Sequence, residues 1–293
     1  MRQKRLQHRI LIKNVMKSLF NFKNHFQAFR EIIALLTRYR QLTCEMAKRE
    51  IKDRYAGQVL GLFWVIGHPM VLMGIYVFVF AFVFKIKIGG TIEMPLDYTT
   101  YILSGLIPWM SFQESMNKAS SAVVGNANLV KQVIFPIEIL PVKGVIAAFL
   151  TQIIYTTMLI LYVLIKNGLL PWTYILIPAL FLFQILAMIG VSYILSSIGV
   201  YFRDIKDFVQ VFCVVGMYAM PIFYLPEMVP NIFRPVVYLN PFSYMVWCYQ
   251  DVFYFGRFEH YQAWVTFIVI SLTIFCLGYR MFRKLKVSFG DVL

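Results

Sequence analysis

Apolar positions run in long blocks along this chain, and ionised residues are confined mostly to the gaps between them. From Tyr55 to Phe84 there is no Asp, Glu, Lys or Arg, and the same holds for 144–165, 167–202 and 260–279. A helix needs roughly 20 mostly apolar residues to cross the hydrocarbon core of a bilayer, so these blocks predict membrane spans. The block 167–202 is too long for one span and must contain a loop or re-entrant turn. The pattern predicts an all-α integral membrane protein with six transmembrane helices, at about 62–85, 99–122, 141–165, 174–200, 208–225 and 261–281. Glu114 interrupts the second of these. Residues 232–256 are apolar but broken by Pro235, Asn240 and Pro241. They read as short interfacial or re-entrant helices, because irregular backbone at membrane depth needs protein or water to satisfy it.

The segments outside the spans are patterned differently. Over 30–55, Ile32, Leu35, Leu36, Tyr39, Leu42 and Met46 recur at spacings of three and four, while Arg38, Arg40, Glu45, Lys48 and Arg49 fall largely on other faces. That is the signature of an amphipathic helix lying in the headgroup region. Residues 1–29 read as a basic arm. In the loop 123–140, Asn126 and Asn128 suit a turn or cap, Leu129 to Val133 suit a turn or two of helix, and Pro136 ends it. Leu129, Val133, Ile134 and Phe135 fit either a docking surface or packing against the chain's own helices. Residues 201–208 alternate charge sign, as a solvated turn does. Gly57 and Gly61 form a GxxxG pair, a weak helix-packing signal.

Composition sharpens this reading. Only 14% of the 293 residues are charged, against about 25% in a soluble domain. Of the 28 Lys and Arg residues, 23 fall before Gln58, within 118–143, at 203–206 or after Leu277. The other five are Lys85, Lys87, Lys166, Arg234 and Arg257. The positive-inside rule then places both termini in the cytoplasm and the chain in the inner (plasma) membrane. The net charge of +14 is thus a topology signal, and no nucleic-acid partner is expected. No apolar core with a cleavage site follows the basic start, so no signal peptide is expected.

Catalytic chemistry is not legible. There is no GxxxxGK[ST] phosphate loop, no HExxH and no Gly-x-Ser-x-Gly. His8, His25, His68 and His260 are scattered, and Cys44, Cys213, Cys248 and Cys276 form no CxxC pair. No catalytic set, metal site, disulfide framework or cofactor in this chain is expected. Glu114 has two readings, a carboxylate paired near the end of its span or a midplane group of an ion-coupled pump. Aromatic residues cluster where spans meet the outer loops: Trp109 and Phe112; Tyr218, Phe223 and Tyr224; Tyr244, Trp247 and Tyr249. They fit an interfacial aromatic belt or a stacking path for the C–H faces of sugar rings.

Three motifs then point to a family. Arg49-Glu50-Ile51-Lys52-x-Arg54-Tyr55 is followed by Leu60-Gly61-x-x-Trp64 and Pro69. Asn128-Leu129-Val130-Lys131 is followed by Phe135-Pro136 and Leu140-Pro141. Phe202-Arg203-Asp204-Ile205 is followed by Pro221 and Asn240-Pro241. In order and spacing, from about residue 40 to the end, the chain resembles a permease subunit of the type-2 ABC exporters that move polysaccharides. Within that family it is most like the O-antigen and teichoic-acid exporters.

The resemblance implies a half-transporter, not itself an enzyme. Residues 56–293 would be the transmembrane domain, 30–55 the interface helix and 226–258 short gate helices. Two copies of the chain, as a homodimer, would pair with two copies of a separate ATPase that binds ATP and Mg. Asn128, Leu129, Lys131, Phe135 and Pro136 would form the coupling helix, with Arg203 and Asp204 as a second contact. Lipid-linked polysaccharide would be exported, Arg49, Lys52 and Arg54 meeting either its pyrophosphate or anionic membrane lipids. Trp109, Phe112, Tyr218, Tyr224, Tyr244 and Trp247 would line the glycan channel. An ABC exporter of small hydrophobic molecules and a membrane-embedded transferase acting on lipid-linked sugars are the alternatives.

Overall fold

The computed structural model describes residues 23–84, 96–131 and 135–293. Residues 1–22 of the basic arm, residue 85 of the first predicted span, and Val133 and Ile134 lie outside them. Among the described residues the secondary structure is helical throughout.

The single helix expected over 30–55 is two, α1 (Lys23–Arg38) and α2 (Arg40–Arg54), kinked at Tyr39. The kink exists because the two helices dock on different partners. Ile32 of α1 is buried, and Phe29 packs edge-on at 5.6 Å against Phe275 near the C-terminus. Helix α2 instead buries Thr43 and Ala47, with Glu50 one turn further on, and leaves Leu42 exposed. Two small side chains one turn apart let another helix approach closely, which a row of leucines would prevent.

Gly57 and Gly61 do not pack helices. Both lie in the connection after α2 with φ of +78° and +45°. A Cβ added at either would meet nothing within 4 Å. They are there because the backbone turns through the left-handed region. Helix α3 (Trp64–Val77) follows, and a wider turn continues it over Phe78–Phe84.

Helix α4 (Tyr98–Ser121) is the centre of the bundle: 17 of its 24 residues are buried. Around it stand α5 (Ile139–Asn167), α6 (Ile177–Tyr201), α7 (Ile205–Tyr218) and, after the short α8 (Arg234–Leu239), α9 (Pro241–Gln250). Helix α10 (Tyr261–Leu285) packs chiefly on α6. Among the described residues, three stretches are long and apolar enough to cross a membrane: Ile139–Asn167, Trp172–Tyr201 and Tyr261–Ser288. The helix found in the predicted span 208–225 has 14 residues and ends at Tyr218, a rise of about 21 Å. After an irregular stretch through Pro221, Asn240 restarts the chain: its Oδ1 accepts from the Phe242 N–H at 3.0 Å, with Pro241 at the first helical position.

Backbone contact between α6 and α10 sets the spacing of the bundle. A Cβ on Gly190 would lie 2.5 Å from the Ile274 carbonyl oxygen, and one on Gly278 would overlap the Gly190 carbonyl. Here the glycines serve close approach, the role small residues play in membrane helix pairs.

A polar clasp ties α4, α5, α6 and α9 together in the core. The Gln152 and Gln184 amides bond reciprocally, Nε2 to Oε1, at 2.7 and 2.9 Å. Gln184 Nε2 also donates to the Pro108 carbonyl at 3.1 Å, and the Tyr249 hydroxyl donates to Gln184 Oε1.

Gly190→Val and Gly278→Val should each lower the thermal midpoint of the purified protein sharply or abolish its recovery. Gly74→Ala, where nothing lies within 4 Å of the new Cβ, should leave it unchanged or raise stability by about 0.5–1 kcal/mol. A detergent-phase melting series compares the three; equal midpoints would remove the α6–α10 contact as the spacing constraint.

Candidate functional site

The face of the bundle that carries α1, α2 and the C-terminus is held by ion pairs. Glu50 on α2 reaches Lys143 on α5 at 3.1 Å and Lys118 on α4 at 3.6 Å. Lys118 also lies 3.3 Å from Glu114, one turn earlier on α4. Arg54, at the end of α2, donates to Glu114. Glu114 is therefore a paired carboxylate in a five-residue network that fastens α2 to α4 and α5. Burial alone pushes the Glu50 carboxyl upward. The Lys118 and Lys143 ammonium groups outweigh it and hold Glu50 below its ordinary range.

The loop after α4 sits beside this network. It makes a turn at Val124–Asn126 and one turn of helix at Ala127–Val130. Asn126 Nδ2 bonds back to the Ala122 carbonyl at 2.8 Å. Val123 and Val130 are buried, Leu129, Phe135 and Pro136 are half-buried, and Asn128 and Lys131 are exposed. Leu129 and Phe135 pack partly on the chain's own core, so the exposed part of this turn is polar. Arg203 and Asp204 are exposed in the next turn on the same face. The two turns start close together: a Cβ on Gly199 would overlap the Ser120 carbonyl at the end of α4 and lie 3.3 Å from Ile205 Cγ2. Between α2 and the loop is a groove of about 470 Å³, bounded by Arg49, Glu50 and Asp53 on one side and Asn126, Asn128 and Leu129 on the other.

The three cations expected at a lipid phosphate stand in different surroundings. Arg54 is committed to Glu114. Arg49 is 83% exposed and pairs loosely with Asp53 at 3.6 Å, while Lys52 is exposed.

The six aromatic residues expected on a channel separate into two groups. Trp109, Phe112 and Trp247 are buried in the core. Phe242 at the start of α9 wedges edge-on between Trp109 and Phe112, at 5.3 and 5.0 Å. Trp247 stacks on His260 at 5.5 Å and meets Tyr244 edge-on at 5.3 Å. Tyr218 is 62% exposed, and Tyr224 and Tyr244 are half-buried. The Tyr224 and Tyr244 hydroxyls donate to the Tyr218 and Tyr238 carbonyls at 2.9 and 2.7 Å.

At the far end of the bundle two carboxylates missed by sequence reasoning organise the structure. Asp97 accepts from Thr100 at 2.7 Å, Tyr162 at 2.8 Å and Lys166 at 2.9 Å, joining the start of α4 to the end of α5. These bonds overcome burial and hold its carboxyl low. Asp251, 1% exposed, accepts from the His260 backbone and ring and from Trp264 Nε1, at 3.1, 2.8 and 2.9 Å. Each is an acid within an otherwise apolar or weakly charged stretch, and that isolation is the signal that could have found them.

Glu50→Gln should cost on the order of 1–3 kcal/mol, because it removes the carboxylate facing Lys143 and leaves Lys118 with Glu114 alone. Because the folded Glu50 pKa is lowered, its contribution is present above the unfolded carboxylate value and lost as pH falls through the folded one. The difference in melting midpoint between wild type and Glu50→Gln should hold steady from about pH 7 to 5 and shrink only below about pH 4. A difference that shrinks near neutrality would remove Glu50 as its source.

Comparison with known proteins gives one family and a set of relatives. Residues 41–254 match the ABC-2 type transporter family. An O-antigen export system permease protein of Klebsiella pneumoniae is 29% identical over 85% of this chain and 93% of its own length. A protein with the same description from Myxococcus xanthus is 27% identical over 89% of this chain and 98% of its own. Members of this family are membrane subunits of transporters, and membership implies a partner ATPase. The matched region takes in α2, the ion-pair network, the loop after α4 and α9, and the chain belongs to the ABC-2 type transporter family.

Proposed function

We propose that this chain is the membrane-spanning subunit of an ATP-driven exporter of lipid-linked, O-antigen-like polysaccharide. The observation that carries the reading is the similarity to O-antigen export permeases over 85% and 89% of this chain, added to the family match over 41–254. In this reading the chain spans the inner membrane six times with both termini in the cytoplasm. The short α8 and α9 then act as gate helices on the outer side. Two copies enclose the channel. An apolar row on α7, with Phe208, Val211, Val215 and Tyr218 exposed, supports a contact with a second copy or with lipid.

A polymer cannot be enclosed in a pocket of ordinary size, roughly 1,000 Å³ or less, so export proceeds stepwise along a continuous path. A separate ATPase binds ATP and Mg and supplies the work. Asn128, Lys131, Arg203 and Asp204 are the exposed groups nearest its place of contact. The Glu50 network supports a route for force: a push on the loop after α4 is shared with α2, α4 and α5 because ion pairs hold them together.

Asn128→Arg combined with Lys131→Glu should lower co-purification of the ATPase several-fold without shifting the melting midpoint, since both side chains are exposed. Undiminished co-purification would remove the coupling role from this turn. Cells lacking the chain should trap long lipid-linked glycan in the inner membrane and lose it from the surface. Normal surface glycan with no trapped polymer would instead favour a small-molecule exporter, and short or unmodified chains would favour a transferase.

A further inference from the structure

A cavity of about 240 Å³ lies between α3, α4 and α5, next to the end of α2. Its wall has a distinctive chemistry. Arg54 and Glu114 are its oppositely charged groups, and they are paired to each other. Ser111 is 4% exposed, and its hydroxyl has no hydrogen-bond partner among the described residues. Buried hydroxyls are normally satisfied, and Ser111 is one of the residues in the wall of this cavity. Tyr155 is 5% exposed and lines the same cavity from α5. His68 and Gln113 add a ring and an amide, while Leu72 and Met110 supply apolar surface.

A wall of neutral donors and acceptors mixed with apolar patches, in which the charges are internally paired, does not favour a multiply charged anion. It suits an uncharged ring with hydroxyls at its edge and C–H groups on its faces. We propose that this cavity binds a sugar, as the lipid-proximal residue of a glycolipid headgroup. The biological source of that sugar rests on the export reading; the chemistry of the site does not. Ser111 and Tyr155 bond ring hydroxyls, Glu114 accepts from another while keeping Arg54, and the apolar wall covers one ring face. The site handles the uncharged end of a substrate and leaves its phosphate to exposed cations.

The test uses the complete transporter, with its ATPase, in phospholipid nanodiscs. Two photoactivatable probes share an octyl chain with the reactive group beside the headgroup: octyl glucoside and octyl phosphate. The glucoside should label peptides containing Ser111 and Tyr155. Ser111→Ala and Tyr155→Phe should each lower that labelling about three- to tenfold, the effect of one neutral hydrogen bond. Ser111→Leu, which removes the hydroxyl and adds apolar bulk to the cavity wall, should lower it at least as far. If that variant fails to assemble, the two hydroxyl deletions still decide. Stronger labelling by octyl phosphate, labelling elsewhere, or glucoside labelling indifferent to both deletions overturns the proposal. Such failure with glycan still trapped in cells lacking the chain removes the sugar site alone. Labelling as expected in a protein whose loss traps no glycan keeps the site and removes the exporter reading.

Discussion

A helix carrying Ser104, Ser111, Gln113, Glu114, Ser115 and Lys118 cannot be surrounded by hydrocarbon, where each unsatisfied polar group costs several kcal/mol, and the bundle is arranged round that constraint. Helix α4 is covered by α5, α6, α7 and α9. Ser104, Ser115 and Ser120 bond back to carbonyls of the same helix, to Tyr101 at 2.7 Å, Phe112 at 2.8 Å and Asn117 at 2.7 Å. Pro108 lies within α4, and its carbonyl accepts a further bond from the Gln184 amide of α6. Close packing of α6 makes this reach possible. Gly199 admits the end of α4, and Gly190 admits α10 on the other side.

The ends of α4 are tied by opposite charge arrangements, each a few residues from its terminus. At its start Asp97 gathers Thr100, Tyr162 and Lys166. Near its end Glu114 and Lys118 gather Arg54 and Glu50, and Glu50 gathers Lys143. Both are partly buried, so solvent and salt screen them less than a surface pair. Both also join α4 to α5. The second brings in α2 as well, so that helix is fastened to the centre of the bundle through side chains of opposite sign.

Long apolar runs made α5, α6 and α10 legible, since a lipid-facing helix must show its apolarity in sequence. The centre at α4 was legible in extent but not in role. Its polar residues interrupt an apolar pattern, which reads as a weak span when it is the mark of an interior one. The kink at Tyr39 was hidden because Leu42 and Met46 continue the apolar spacing of α1 in the sequence, whereas in the fold α2 buries Thr43 and Ala47 and leaves Leu42 exposed. Gly57 and Gly61 misled for a related reason: GxxxG spacing does not say whether φ is positive. The Gln152–Gln184–Tyr249 clasp was out of reach, since three lone polar residues in three apolar runs give no sign that they meet.

The same limit applies to charge at the candidate site, and it changes what the basic run before the first apolar block can do. Read along the sequence, Arg49, Lys52 and Arg54 are three equivalent cations beside a membrane. In the folded chain they are not equivalent, because Arg54 faces a carboxylate held on α4 and the other two do not. A phosphate approaching Arg54 would have to displace Glu114, which would leave that carboxylate facing Lys118 alone. Arg49 and Lys52 carry no such penalty, since both are exposed and Arg49 has only a loose partner 3.6 Å away. Anion attraction therefore belongs to the exposed side of α2, and Arg54 belongs to the fold. A single helix thus exposes cations on one face and holds the bundle with the other.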